Sequence, residues 1–407
     1  MELDDATLHF PFDTGPGGTH PTEFDALRGF CPVAPVVLPS GDRAWLASRY
    51  DDILTVLGDP RFSRRPDIPG APRLVAAYDG TMVKDMIVAM DAPEHTRIRR
   101  IVQGAFTPRR IRTWQPRVQA VADDLLDAFA ASPGRTGDIY EGFALPLPIR
   151  IISELLGIPE ADAASFRRWT EMGLSLTRWT REELVAAHRE YIAYVATLIA
   201  ERRAAPPVSD EDDADLLDAL VSARDDDDRL SETELVNLVR ALISAGHETT
   251  ATVFSRGLYT LLTHPEQLAL LRAEPERLND AVEEILRFVP PGSGGTPRIV
   301  TTELELGGVT VRPGEGVVAP FGVANRDPAR FPDPDRFDIT RDPAGHIAFG
   351  HGPHHCLGVH LARLELRTAF ETVLRRLPDL ELAVPASELA WSEGLRVLKL
   401  QALPVRW

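Results

Sequence analysis

A helical pattern runs from Ser231 to a stop at His264-Pro265, and at about 1.5 Å per residue a helix of that length crosses a whole domain. Ser231 and Glu234 have capping-box spacing, which satisfies backbone N–H groups otherwise orphaned at a helix start. Leu235, Leu238, Val239 and Leu242 then recur at the helical period, so this helix belongs in the core. Its middle breaks the pattern with Gly246, Glu248 and Thr249. A mid-helix glycine costs about 1 kcal/mol relative to alanine and so wants a reason. One account is a threonine bonded back to a bent core helix. The other is a bend that opens the helix beside a reaction centre, with Glu248 as a proton-relaying acid and Thr249 as a hydrogen-bonding alcohol.

The rest of the chain is arranged around that helix. Residues 35–38 and 43–47 flank Ser40-Gly41-Asp42 and predict a hairpin. Residues 107–204 read as helical, punctuated at Pro116, Ser132-Pro133-Gly134 and Gly157-Ile158-Pro159. Residues 206–215 and 225–228 are polar loops too short to require a domain boundary. Beyond residue 298 strands and loops dominate until a helix that starts near Gly358. The expected class is mostly α with small β-sheets, in a single domain over 1–407.

Phe349-Gly350-His351-Gly352-Pro353-His354-His355-Cys356-Leu357-Gly358 carries the strongest chemical signal. Three glycines frame Cys356 and allow tight turns and close approach of a flat ligand. The following helix start supplies free N–H groups and a dipole that favours a thiolate. Such a thiolate suits axial ligation of haem iron, where sulfur donation favours O–O cleavage. Zinc is the rival, because His346, His351, His354, His355 and His360 crowd the same region. A zinc site prefers several ligands, commonly with cysteine pairs, and only one thiol lies here. Cys31 reads as an inert small hydrophobe.

This loop, continued by Leu361-Ala362-Arg363, resembles the cysteine-ligand loop of the cytochrome P-450 family, soluble bacterial type. The likeness extends in order along nearly the whole chain. Ala245-Gly246-His247-Glu248-Thr249-Thr250 resembles the family's oxygen-activating segment. Glu284-Ile285-Leu286-Arg287 resembles its Glu-x-x-Arg pair, with Arg336 in Phe331-Pro332-Asp333-Pro334-Asp335-Arg336-Phe337 as third member. Asp91-Ala92-Pro93-Glu94-His95-Thr96-Arg97-Ile98-Arg99 resembles the helix that grips a haem propionate.

The resemblance implies the cytochrome P-450 fold, with the long helix over haem b (iron protoporphyrin IX) and the cysteine loop on the opposite face. Cys356 is then the iron ligand, and Glu248 and Thr249 are the catalytic pair. Ala245, Phe349, Gly350 and Gly358 border the haem, and His95, Arg99, Arg298 and His354 converge on its two propionates. Unpaired buried carboxylates are costly, so several donors are needed. The activity implied is monooxygenation of a small organic substrate with O2, in secondary-metabolite tailoring of polyketides, macrolides or terpenoids. Oxidative coupling, desaturation and a non-catalytic haem-thiolate sensor are the alternatives. The sensor, and a peroxide-driven enzyme of the same fold, would not need the Glu248–Thr249 pair. Residues 290–297, rich in Gly and Pro where the family often has apolar side chains, imply a roomy substrate pocket.

Charge bounds the partners. The 61 acidic and 44 basic residues give a net charge of −17, which disfavours nucleic acid. Lys84 and Lys399 are the only lysines, so arginine is the general cation and no sign of phosphate recognition. Arg97, Arg99, Arg100, Arg109, Arg110 and Arg112 nevertheless form an acid-free run, which Arg363 and Arg367 extend. That local field suits an acidic ferredoxin, supplied with electrons by a ferredoxin reductase. Two cysteines exclude a disulfide scaffold. The acidic N-terminus lacks a signal pattern, and no apolar run is long enough to span a bilayer, so a cytoplasmic protein without membrane attachment is expected.

Overall fold

The predicted long helix forms over Glu232–Thr263, with Ser231 and Glu234 exchanging both capping-box bonds and Pro265 opening the next helix. The computed structural model describes residues 8–77, 82–205, 215–222, 230–292, 295 and 297–407. The acidic start of the chain, most of the loop at 206–215, the loop at 225–228 and positions 293, 294 and 296 lie outside the described residues.

In chain order the helices are α1 (Glu23–Phe30), α2 (Tyr50–Gly58), α3 (Glu94–Gln103), α4 (Pro108–Thr113), α5 (Gln115–Ala130), α6 (Pro146–Leu156), α7 (Ala163–Gly173), α8 (Arg181–Ala204), α9 (Leu216–Ser222), α10 (Glu232–Thr263), α11 (Pro265–Ala273), α12 (Leu278–Phe288), α13 (Phe321–Ala324) and α14 (Val359–Arg376). The strands are β1 (Val33–Val37), β2 (Arg43–Ala47), β3 (Phe62–Ser63), β4 (Thr136–Asp138), β5 (Arg298–Val300), β6 (Leu304–Leu306), β7 (Val309–Val311), β8 (Gly316–Val318), β9 (Glu381–Leu382) and β10 (Pro404–Arg406).

Two apolar cores result. The larger surrounds α10 and takes in α5, α6, α7, α8, α12 and α14. Phe254 of α10 packs on Phe370 of α14 at 4.8 Å between ring centroids, and on Phe143 at 5.5 Å. Both rings beside it are fully buried, and each buried aromatic contributes about 1.5–3 kcal/mol of transfer free energy. The smaller core lies under a five-stranded sheet of order β1-β2-β8-β5-β3. The predicted hairpin is there, Val33 facing Ala47 and Val37 facing Arg43, turned by Gly41 at φ +86°.

Gly246 has a packing reason. Helix α10 is helical without interruption through residues 245–249. A Cβ on Gly246 would lie 2.7 Å from Ile152 Cγ1 of α6, so the glycine lets two helices approach closely.

Candidate active site

Residues 349–358 form a tight loop between Ile347 and α14. The Cys356 N–H donates to the Phe349 carbonyl at 2.9 Å, and the His355 N–H to the Gly352 carbonyl at 3.0 Å. Gly350 and Gly352 take φ of +77° and +71°, conformations a side chain resists. At Gly352 a Cβ would also meet the Leu57 carbonyl oxygen at 2.6 Å, where the loop lies against the end of α2. Gly358 acts differently, for it caps α14 and its N–H donates to the Cys356 sulfur. Burial pushes the Cys356 thiol up, while that N–H and the charges of Arg99 and Arg363 pull it back. The loop thus aims donors and positive charge at one sulfur.

The loop is braced from behind. Glu284 and Arg287 are fully buried and joined twice, Nε to Oε2 at 2.7 Å and Nη2 to Oε1 at 2.8 Å. Arg287 also donates to the Asn325 and Pro334 carbonyls at 2.9 Å, and Asn325 accepts from the Ile347 N–H at 2.7 Å, two residues before Phe349. The expected third member is replaced. The Arg336 side chain points to solvent and only its carbonyl meets Arg287, at 3.4 Å. Arg341 brings its guanidinium to 3.4 Å from Glu284 instead. Chain continuity places Arg336 next to the pair, but it closes a turn from Asp333 that leaves its side chain outside. In front, Glu283 holds Arg363 at 2.6 Å and His346 at 2.8 Å. Burial raises that carboxyl, but the two bonds prevail and hold it down to about 2.

The expected donors lie together. His95 is buried on α3 and its ring lies 4.1 Å from that of His354. Burial first, then the charges of Arg64, His95, Arg298 and Arg99, drive His354 down to about 2. Arg298 is buried, held down to about 9, and its Nε has no hydrogen-bond partner. Arg99 instead reaches the loop backbone, donating to the His355 carbonyl at 2.7 Å. Arg64, which carries no motif, joins the cluster, and burial holds it down to about 10. Asp91 is the acid nearby, already accepting from Ser63 and from the Arg64 N–H. A ring of cations with an orphaned buried donor is matched to an anion, and the two carboxylates of a haem fit it. On α10, Ala245 is exposed although Ile243 and His247 are buried, so this turn of the helix borders a space. Among the described residues no three His, Cys, Asp or Glu side chains assemble as a metal site.

Glu248 and Thr249 face different surroundings. Thr249 Oγ1 donates to the Ala245 carbonyl at 2.9 Å, the back-bonded arrangement. Glu248 is buried, and its Oε1 accepts from Lys399 Nζ at 2.7 Å and from the Tyr140 hydroxyl at 3.3 Å. Its Oε2 has no hydrogen-bond partner among the described residues. Lys399, on the stretch that pairs back with Trp391 and Ser392, carried no signal apart from being one of two lysines. On the cysteine side, the arginine run divides. Arg97 is tied to Glu234, Arg99 to the loop and Arg363 to Glu283, while Arg100, Arg109, Arg110 and Arg112 are exposed. Arg112 and Arg367 border a groove of about 250 Å³ between α4 and α14.

The Cytochrome P-450 family model matches residues 152–382, and the chain belongs to that family. It is 44% identical over 400 residues to a mycinamicin IV hydroxylase/epoxidase of Micromonospora griseorubida, covering 98% of both chains. With the cytochrome P-450 monooxygenase PikC of Streptomyces venezuelae it shares 42% identity, over 95% of this chain and 91% of that one. Among solved structures, the LnmA cytochrome P-450 hydroxylase of the leinamycin pathway of Streptomyces atroolivaceus superposes with a TM-score of 0.87 at 45% identity, over 98% and 100% of the two chains. A cytochrome P-450 with biaryl coupling reactivity gives 0.91 at 36% identity, over 99% and 100%. The protein is accordingly a cytochrome P-450 monooxygenase, an oxidoreductase of the fold its sequence predicted. No described helix is long and apolar enough to cross a membrane.

Proposed function

We propose that this chain hydroxylates or epoxidises a macrolide or related secondary metabolite, with haem b bound between α10 and the Cys356 loop. The observation that carries the cofactor assignment is the cation ring around His354, with the buried Arg298 Nε lacking a partner. The substrate class rests on the near end-to-end likeness to the mycinamicin IV hydroxylase/epoxidase. Residues 1–407 are read as one domain, since Ala77 packs against both cores.

When bound, the haem iron supplies activation of O2 with two electrons and two protons. Cys356 would ligate the iron, and Phe349, Gly350 and Gly358 would shape that side. His95, Arg99, Arg298, His354 and Arg64 would neutralise the propionates. Ala245 leaves the opposite face flat. Thr249 would turn its hydroxyl from the Ala245 carbonyl towards the oxygen side, and Glu248 would deliver protons as a general acid. Electrons would come from a ferredoxin and its reductase in the cytoplasm, with Arg100, Arg109, Arg110 and Arg112 as the docking face. Cys356→His tests the core of this reading. The reduced wild type should give the strongly red-shifted carbon monoxide spectrum of a thiolate ligand and the variant should not; an unchanged spectrum refutes the assignment. A panel of macrolides, scored by the ferric haem spectrum and then by product analysis, tests the substrate class and separates oxygenation from coupling.

A further inference from the structure

Nearly every positive charge in this chain is arginine, yet the cation bonded to Glu248 is a lysine. Lys399 is only 4% exposed. A guanidinium does not release its proton in a protein, whereas a desolvated ammonium does so readily. The environment of Lys399 is built for charge. Its Nζ lies 2.7 Å from Glu248 Oε1, 3.5 Å from the Tyr140 hydroxyl and 3.8 Å from Glu171 Oε1. Burial, then the charge on Glu248, pushes the Tyr140 hydroxyl far up, so Tyr140 stays neutral, donating to Glu248 and accepting from Lys399. Arg167 is engaged by Glu141 and Arg178 by Glu171, so neither displaces Lys399 from Glu248. His247, next along the helix, is buried and held low by desolvation, its Nδ1 at 2.8 Å from the Ile243 carbonyl, which it meets as a neutral ring.

The line continues outward. Glu171, on α7, is partly open to solvent and borders a groove of about 460 Å³ between α7 and α8, with Arg168, Trp179, Glu183 and Glu190 on its walls. Polar groups thus run from that groove to the carboxyl beside Thr249. The 3.8 Å step between Glu171 and Lys399 is the longest, a span that a bridging water or a small side-chain movement closes.

We propose that Lys399 hands protons to Glu248 and is recharged through Glu171 from the groove between α7 and α8. This rests on the reading of Glu248 as the acid. From the ion pair, the Lys399 ammonium passes a proton to the Glu248 carboxylate and becomes an amine. Glu248 gives that proton up on the Thr249 side and is a carboxylate again, and the amine takes a proton from the Glu171 side. One solvent proton enters per transfer and no electron moves.

The holoenzyme carrying Lys399→Arg, Lys399→Met, Glu171→Gln or Glu248→Gln tests the route by infrared spectroscopy and by turnover in H2O and D2O. Lys399→Met removes the counter-charge, so a protonated-carboxyl band absent from the wild type should appear in the resting enzyme, and it should vanish in the Lys399→Met/Glu248→Gln double variant. Lys399→Arg keeps the charge but not the labile proton. It should show no new band, yet product formation should fall by at least about tenfold with an enlarged solvent isotope effect. Arginine at 399 with normal rate and isotope effect overturns the relay and leaves Lys399 as a counter-ion. The relay is equally overturned if Lys399→Met shows no carboxyl band. Normal turnover in Glu171→Gln overturns the outer leg. Glu248→Gln separates the two levels: if it turns over normally the acid reading itself falls, and if it is slow while Lys399→Arg is normal only the relay falls.

Discussion

Glu365, nearly two turns into α14 on its core face, offers a sharp test of how this interior handles charge. It is 1% exposed, its Oε1 has no partner, and the Thr250 hydroxyl of α10 donates to its carboxyl. Burial dominates and pushes the carboxyl from an ordinary 4.5 up to about 8. The folded protein therefore keeps a proton between those values that the unfolded chain releases, so stability falls as pH rises through that window. From 4.5 to about 8 is three and a half pH units, which at about 1.4 kcal/mol each sets a ceiling of about 5 kcal/mol. Glu365→Gln is neutral at every pH and keeps an acceptor for Thr250. Urea unfolding followed by circular dichroism at intervals from pH 5 to pH 9 should show the variant losing less stability than the wild type at each step. Most of the difference should have accumulated by pH 8, and above that the curves should run parallel. Parallel curves across the whole range would mean that Glu365 is ionised in the fold and that the desolvation argument fails.

Other expectations concern the remaining parts of the site. Thr249→Ala should continue to consume reductant while product per electron falls and hydrogen peroxide rises, measured by paired assays of reductant, peroxide and product. Arg287→Ala leaves the Glu284 carboxylate buried without its bidentate partner, and should cost about 3–5 kcal/mol in urea unfolding, with weakened haem retention because Asn325 links the pair to the loop. Reversing Arg109 and Arg110 to glutamate should slow reduction by ferredoxin in stopped-flow traces, most at low salt, and leave substrate spectra unchanged. A normal rate at every salt concentration would place the docking face elsewhere.

What the chain discloses from one end to the other depends on the range of each interaction. The capping box at Ser231, the hairpin around Gly41 and the turn glycines at 350 and 352 are set by neighbours in sequence, and all are readable there. Contacts made across the fold are not. Lys399 meets Glu248 from a segment about 150 positions away, and neither has a spacing that announces the other. Arg64 joins the cation ring because β3 pairs with β5, bringing it beside Arg298, and a sheet of order β1-β2-β8-β5-β3 is not legible as a local pattern. Arg336 illustrates the opposite error. Its position in the chain is right for the brace, but the backbone there presents a carbonyl and leaves the guanidinium outside, so Arg341 takes up the ion-pair role.

The middle of α10 shows why acid and alcohol sit next to each other in sequence but not in space. Successive residues of a helix diverge by about 100°, whereas positions four apart share a face. Thr249 thus lies above Ala245, on the face that borders the open space, and its hydroxyl meets the Ala245 carbonyl. Glu248 is turned off that face towards Tyr140 and Lys399. Gly246 lies on a third side, where Ile152 closes the helix off at a distance no Cβ tolerates. The three directions give four residues three surroundings: an open face at Ala245 and Thr249, a buried ion pair at Glu248, and close helix packing at Gly246. Among the described residues Glu248 Oε2 has no partner while Oε1 is tethered, so under the proposed acid role a rotation of that side chain away from Lys399 would carry a proton towards the open face.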